Sequence, residues 1–79
     1  MNVNNTIAIS GLNGKKMDDI KSILYDYFTY EKLTRENLNV AKKIFIFGKK
    51  PEYVDRKNVY IHEKSEDTWT IAMFVNRHL

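Results

Sequence analysis

Residues 6–28, TIAISGLNGKKMDDIKSILYDYF, decide the fold, because the spacing of the apolar residues changes once within them. Over residues 6–12 the apolar side chains alternate, with Ile7 and Ile9 on one side, and a period of two predicts a half-buried strand. From Lys15 onward they recur every three or four positions, which predicts an amphipathic helix. The chain therefore begins with a strand that leads directly into a helix.

The helix that starts at Lys15 has a clear beginning and a long apolar stripe. Asn13 precedes it, and an asparagine side chain at that position accepts a hydrogen bond from an unpaired amide of the first turn. Polar residues fill the opposite face. The stripe consists of Met17, Ile20, Ile23, Leu24, Tyr27 and Phe28.

The remainder of the chain is predicted to contain one more helix and three more strands. A short helix is expected over residues 34–41, where Thr34 supplies an N-terminus. The apolar run 44–47 predicts a strand buried on both faces, and Pro51 lies in an exposed connection after it. Residues 58–62 and 69–75 are expected to form a hairpin, since a polar segment separates two alternating runs.

This element order predicts a small α+β domain over residues 1–79, with the arrangement β-α-α-β-β-β. We expect a mainly antiparallel four-stranded sheet with the helices on one face. The final strand has apolar residues on both sides, so it should be central or be covered by a partner.

Composition places the chain among soluble globular proteins and suggests an oligomer. The 79 residues carry a net charge of +3, with 43% apolar residues and no cysteine. A chain of this length buries only about 60% of its unfolded surface, so a second subunit would add stability and a homodimer is expected. The absence of cysteine fits a reducing compartment, and no stretch reaches the roughly 18 apolar residues of a membrane span. We therefore expect a cytoplasmic protein, without membrane contact.

Residue usage suggests where the gene comes from. Lysine, asparagine, isoleucine and tyrosine are frequent, whereas glycine, alanine, arginine and proline are rare. The first set has AT-rich codons and the second has GC-rich codons, so an AT-rich genome is indicated. Bacteriophages and mobile elements often have such genomes, and low-GC bacteria do as well.

The sequence offers no catalytic constellation, so we expect a protein that is not an enzyme and uses no cofactor or metal. His62 and Glu63 are neighbours on a predicted strand, where adjacent side chains point to opposite faces. No His, Asp and Glu residues have metal-ligand spacing, and no serine lies in a nucleophile-elbow pattern.

The loop Gly11-Leu12-Asn13-Gly14-Lys15-Lys16 joins the first strand to the first helix and could bind an anion at the helix N-terminus. It is not a P-loop, which has four residues between its glycines. Residues 11–20 resemble the GXXG loop and following helix of KH domains, and this resemblance implies contact with a single-stranded nucleic-acid backbone. It ends there, because a KH domain has a strand and a helix before its loop.

Lysine pairs give the alternative function, a small RNA- or DNA-binding protein. Acidic residues are interleaved with these pairs and dilute the positive surface, so nucleic acid is the less favoured partner. The residues expected to contact it are Gly11, Gly14, Lys15, Lys16, Lys49 and Lys50.

An excess of aromatic residues gives the leading hypothesis, a protein–protein interaction module, since aromatics dominate interface energies. Combined with the residue usage, it predicts a small phage or mobile-element protein that binds and inhibits a host bacterial protein, of anti-defence or anti-restriction type. A bacterial regulator or a toxin–antitoxin partner is the third possibility. The expected interface residues are Tyr25, Tyr30, Tyr53 and Trp69.

Overall fold

The structure is a computed structural model that describes residues 5–24, 28–63 and 67–79. Within these ranges the chain forms four strands and two helices in the order β-α-β-β-β-α. The elements are β1 (Thr6–Ser10), α1 (Gly14–Ile23), β2 (Thr29–Lys32), β3 (Lys43–Phe47), β4 (Val59–His62) and α2 (Thr68–Arg77).

The strands form one sheet in the order β2-β1-β3-β4, and each described pair of neighbours is parallel. The expected antiparallel sheet is therefore wrong. The physical reason is that β1 and β3 are buried on both faces, and parallel sheets are the type whose connections cover both faces. Ala8, expected on a polar face of β1, is fully buried.

The handedness of the connections explains which segment covers which face. Crossovers between parallel strands are almost always right-handed. The step from β1 to β2 runs toward one edge of the sheet, while the next two steps run toward the other edge. The same handedness therefore places α1 on one face and the connections 33–42 and 48–58 on the opposite face. After β4 the chain returns to the first face as α2, which packs against α1.

The first face carries the larger core, in which α1 and α2 cover the sheet. Phe45 lies at its centre and is stacked on Tyr60 at 5.2 Å between ring centroids. Met17 and Ile20 are the buried residues of α1. The buried members of this core are Ile7, Ile9, Met17, Ile20, Leu24, Tyr30, Phe45, Phe47, Ile71, Ala72 and Val75.

The second face is covered by connecting segments, and Arg56 joins them. Its Nη1 donates hydrogen bonds to the carbonyl of Leu38 at 2.8 Å and to that of Ala41 at 2.5 Å. These bonds tie the β3–β4 connection to the β2–β3 connection. The core beneath them consists of Ala8, Leu33, Leu38, Ala41, Ile44, Ile46 and Val54.

The segment expected as the last strand, residues 69–75, is the helix α2, so the predicted hairpin is also wrong. Asp67 caps this helix, because its carboxylate accepts a hydrogen bond from the Thr70 amide at 2.9 Å. The buried residues of α2 are Ile71, Ala72 and Val75, which share one side of a helix. The alternating pattern of the sequence fits both structures, and the helix alone places these three residues against the sheet.

The short helix expected over residues 34–41 does not form. Thr34 and Asn37 exchange hydrogen bonds, each amide donating to the side-chain oxygen of the other residue, at 2.8 and 3.1 Å. This arrangement starts a helical turn that does not continue into a helix. The strand β2 was not expected, since only Tyr30 of its four residues is buried.

Gly11 fixes the distance between β1 and β3 at their carboxyl ends. Its φ is 95°, a conformation that favours glycine. A Cβ atom at this position would lie 1.8 Å from the carbonyl oxygen of Phe47. The loop after β1 and the end of β3 therefore touch through backbone alone.

We expect Gly11→Ala to lower the free energy of unfolding by more than about 1 kcal/mol, because the methyl group collides with the Phe47 carbonyl and φ is positive. Gly14→Ala is the matched control, since nothing lies within 4 Å of its Cβ position. Alanine in this first helical turn should be neutral or stabilising by up to about 1 kcal/mol. Urea unfolding of both variants measures the difference, and equal stabilities would contradict the proposed contact.

Candidate binding surfaces

The residues predicted to bind an anion come together at the side of the sheet where the carboxyl ends of the strands lie, called the carboxyl edge below. Gly11 follows β1, and Lys15 and Lys16 lie in the first turn of α1. Lys49 and Lys50 follow β3, whose last residue contacts Gly11. Because parallel strands end at the same edge, two lysine pairs from distant parts of the chain share one side of the domain.

This edge also contains the point where the chain changes direction across the sheet. The connection after β1 leads toward β2, whereas the connection after β3 leads toward β4. Ligands of open parallel sheets commonly bind outside such a point. Here the contact between Gly11 and Phe47 closes the space between the ends of β1 and β3. The Asn13 side chain already accepts a hydrogen bond from the Lys16 backbone amide, at 2.8 Å. The geometry therefore favours a basic outer surface over a deep anion pocket.

A cleft of about 440 Å³ lies beside β4 on the same edge. Its apolar wall is Ile61, a residue that is 45% exposed. Neither Ile61 nor Glu63 is predicted from the sequence to bind a ligand, because residues 58–62 are predicted there to be one arm of a hairpin. The cleft is lined by Gly48, Lys49, Lys50, Ile61 and Glu63.

Of the tyrosines predicted to bind a partner protein, the two that the structure describes, Tyr30 and Tyr53, do not form a common surface. Tyr30 is 4% exposed and belongs to the core of the first face. Tyr53 is half-buried beneath Arg35, whose guanidinium carbon lies 4.9 Å from the ring centroid. Tyr25 lies outside the described residues. Among the described aromatics of that set, Trp69 is the residue with a large exposed surface.

The outer face of α2 presents Trp69 together with Met73. Trp69 is 64% exposed and Met73, one turn later, is 47% exposed. Arg77 is exposed on the following turn. Met73 was not selected from the sequence, because the strand interpretation placed it in the core. The sequence does contain a signal for this pair, because large apolar side chains four residues apart are neighbours on the surface of a helix.

Both histidines pack as aromatic rings against neighbouring residues. His62 lies 4.9 Å from Phe74, and His78 is stacked on Tyr60 at 4.5 Å between centroids. Among the described residues, no group of three or more His, Asp or Glu side chains is placed to hold a metal ion. In the same part of the chain, no helix is long and apolar enough to cross a lipid bilayer.

The N-terminus of α2 holds one carboxyl group with a shifted pKa. The Thr70 backbone amide donates to Asp67 and lowers its pKa below the ordinary value of 3.8, and a hydrogen bond from the Thr70 side chain acts in the same direction. Asp67 is exposed, so burial opposes this effect only weakly. The ionised carboxylate therefore stabilises the helix that carries Trp69.

We expect this contribution of Asp67 to be present above pH 3.8 and to disappear as the pH falls through the lowered pKa. Asn at the same position still caps the helix but does not titrate. The stability difference between the wild type and Asp67→Asn should therefore shrink on acidification, as measured by thermal unfolding followed by circular dichroism. A difference that stays constant down to pH 2 would contradict the role of the charge.

Comparison with known proteins finds no family model, no curated protein and no solved structure that matches this chain. The function is therefore inferred from the surfaces themselves. The strongest features are the outer face of α2, the basic carboxyl edge of the sheet and the edge strand β4.

Proposed function

We propose that this chain is a non-enzymatic protein-binding module that docks through the outer face of α2. The observation that carries the proposal is the exposure of Trp69, a residue type that is strongly enriched among interface hot spots. Met73 extends the apolar surface by one helical turn. The module acts by occupying a surface of its partner.

The core of this domain makes no use of the exposed side of α2. Ile71, Ala72 and Val75 already supply the contacts to the sheet. Trp69 and Met73 lie on another side of the same helix, so α2 has apolar residues on two sides. Helices that are apolar all round are normally covered all round, which supports a partner on this face.

The partner that we propose is a protein with an apolar pocket bordered by acidic groups. The indole ring of Trp69 would fill the pocket, while Arg77 and the net charge of +3 favour an acidic surrounding. The AT-rich residue usage supports a phage or mobile-element origin. Within that origin, a host bacterial protein of the anti-viral defence systems is the proposed target, and binding inhibits it.

Trp69→Ala tests the docking face. We expect it to weaken partner binding by about 30-fold or more, as for a hot-spot residue, while the folded domain keeps its thermal stability. The measurement is affinity capture of the tagged protein from a bacterial lysate, followed by mass spectrometry and then by titration of the purified partner. Nuclease treatment of the lysate separates direct protein partners from proteins carried by nucleic acid.

Val40→Ser is the matched control, because Val40 is an apolar residue with 59% exposure in the connection on the opposite face. It should leave the captured partner unchanged. Equal capture by wild type and Trp69→Ala would contradict the proposal. A second copy of the chain is the other possible occupant, and sedimentation of the purified protein would show a dimer that Trp69→Ala dissociates.

Nucleic-acid binding is the second candidate function, and the convergence of two lysine pairs at the carboxyl edge favours it. Lys15, Lys49 and Lys50 are exposed there, and Lys16 is half-buried. A basic surface of this kind binds phosphates through counterion release, without a closed pocket. Glu63 lines the same cleft as Lys49 and Lys50, and its carboxylate weakens the positive charge of this surface.

A single-stranded oligonucleotide tests this candidate by fluorescence anisotropy over a range of salt concentrations. We expect affinity that falls steeply with salt, with a slope that decreases by about 0.7 for each lost phosphate contact. Changing Lys15 and Lys49 to Glu should abolish binding. Changing Lys21 and Lys57, which lie away from this edge, controls for net charge. If the oligonucleotide still binds after Lys15 and Lys49 are changed, the carboxyl edge is excluded as the nucleic-acid-binding surface.

A further inference from the structure

The edge strand β4 has backbone groups that point away from the sheet. The Gly48 amide donates to the His62 carbonyl at 2.9 Å, and the Ile44 amide donates to the Asn58 carbonyl at 3.4 Å. Backbone groups of successive residues in a strand alternate in direction. The amide and carbonyl of Val59 and Ile61 therefore face outward, where no strand of the described residues pairs with them.

The two edge strands, β2 and β4, differ in how they are protected from pairing with another chain. Proteins usually protect an edge strand from pairing with other chains by placing charges or proline in it. The strand β2 has Glu31 and Lys32, both exposed, whereas β4 has the sequence VYIH without charge or proline. Ile61 is also 45% exposed. The edge at β4 is thus the one suited to accept another strand.

The cleft beside β4 defines the chemistry of such a strand. Ile61 provides an apolar wall, and Lys49 and Lys50 provide amino groups that outnumber the carboxylate of Glu63. A side chain with negative charge is therefore favoured at the carboxyl end of β4, two residues from an apolar one on the same face of the strand. In strand addition the backbone supplies affinity and such pockets supply specificity.

We infer that β4 binds an extended acidic peptide as an added strand, with an apolar side chain against Ile61 and a carboxylate beside Lys49 and Lys50. This site is separate from the face that holds Trp69. Charge favours a peptide over a second copy of the chain. Antiparallel pairing of two copies would bring Lys57 of each toward the cleft of the other, because residues before one β4 meet residues after its partner. In that cleft the two lysines outnumber the carboxylate of Glu63.

The probe is a short fluorescent peptide with Val and Glu two residues apart, so that both side chains lie on one face of the added strand, titrated into the full chain. We expect saturable binding and slowed amide hydrogen exchange at Val59 and Ile61. The same peptide with N-methyl groups on alternate residues lacks donors along one edge and should bind about tenfold more weakly. A Lys and Val peptide of equal length should not bind. Equal binding of the methylated and unmodified peptides would overturn the inference.

Variants locate the site on the chain. Ile61→Pro removes an outward amide without breaking a bond to β3, and it should abolish peptide binding. Lys32→Pro is the matched control on the other edge strand. The Thr29 and Leu33 amides donate to the carbonyls of Asn5 and Ile9, so the alternation of the strand turns the Lys32 amide away from β1. Where a proline variant does not fold, the methylated peptide with the unaltered protein still decides.

Two further outcomes separate this inference from the proposed function. Trp69→Ala should leave the affinity for the peptide unchanged. A loss of peptide affinity in this variant would contradict a separate site on β4. Sedimentation of the purified chain tests the competing occupant. A dimer that Ile61→Pro converts to a monomer would show that β4 pairs with a second copy of the chain, and it would overturn the peptide proposal.

Discussion

The strands β1 and β3 are buried on both faces, and the rest of the structure is arranged to cover them. Ile7, Ile9, Phe45 and Phe47 point to the first face, whereas Ala8, Ile44 and Ile46 point to the second. A chain of 79 residues has few segments with which to make two covers. The helices α1 and α2 cover one side. On the other side the cover consists of two connections that form no helix, and hydrogen bonds from Arg56 join them.

Because the core uses so few segments, the surfaces proposed for binding lie at the periphery of the domain. The core takes one side of α2, so Trp69 and Met73 remain exposed on another. The connection that covers the second face leaves Ile61 partly open. Lys15, Lys49 and Lys50 at the carboxyl edge are exposed to solvent. Each proposed surface therefore uses side chains whose removal should cost the fold little.

The aromatic contacts between β4 and α2 link two of these surfaces structurally. Tyr60 of β4 stacks on Phe45 and on His78, the residue that ends α2. The Lys43 ammonium donates to the His78 carbonyl at 2.5 Å and so fixes the end of the helix to the sheet. The helix that carries Trp69 therefore contacts the strand that carries Ile61 through the pair His78 and Tyr60. A support fixed in advance would reduce the entropy lost on binding at either proposed surface.

Local patterns in the sequence determined the positions of β1 and the buried strand β3, and the start of α1 with its Asn13 cap, because neighbouring residues specify these features. They did not determine the end of α1, which lies at Ile23 and leaves Phe28 outside the helix. Strand direction, strand order and the helical state of residues 68–77 depended on tertiary structure. The apolar residues of that segment fit a strand and a helix equally well, and the helix is selected by contact with the sheet together with the Asp67 cap. In the same way, Tyr30 and Trp69 look alike as aromatic residues in the sequence. The fold buries one and exposes the other, because burial depends on what the rest of the chain places above each ring.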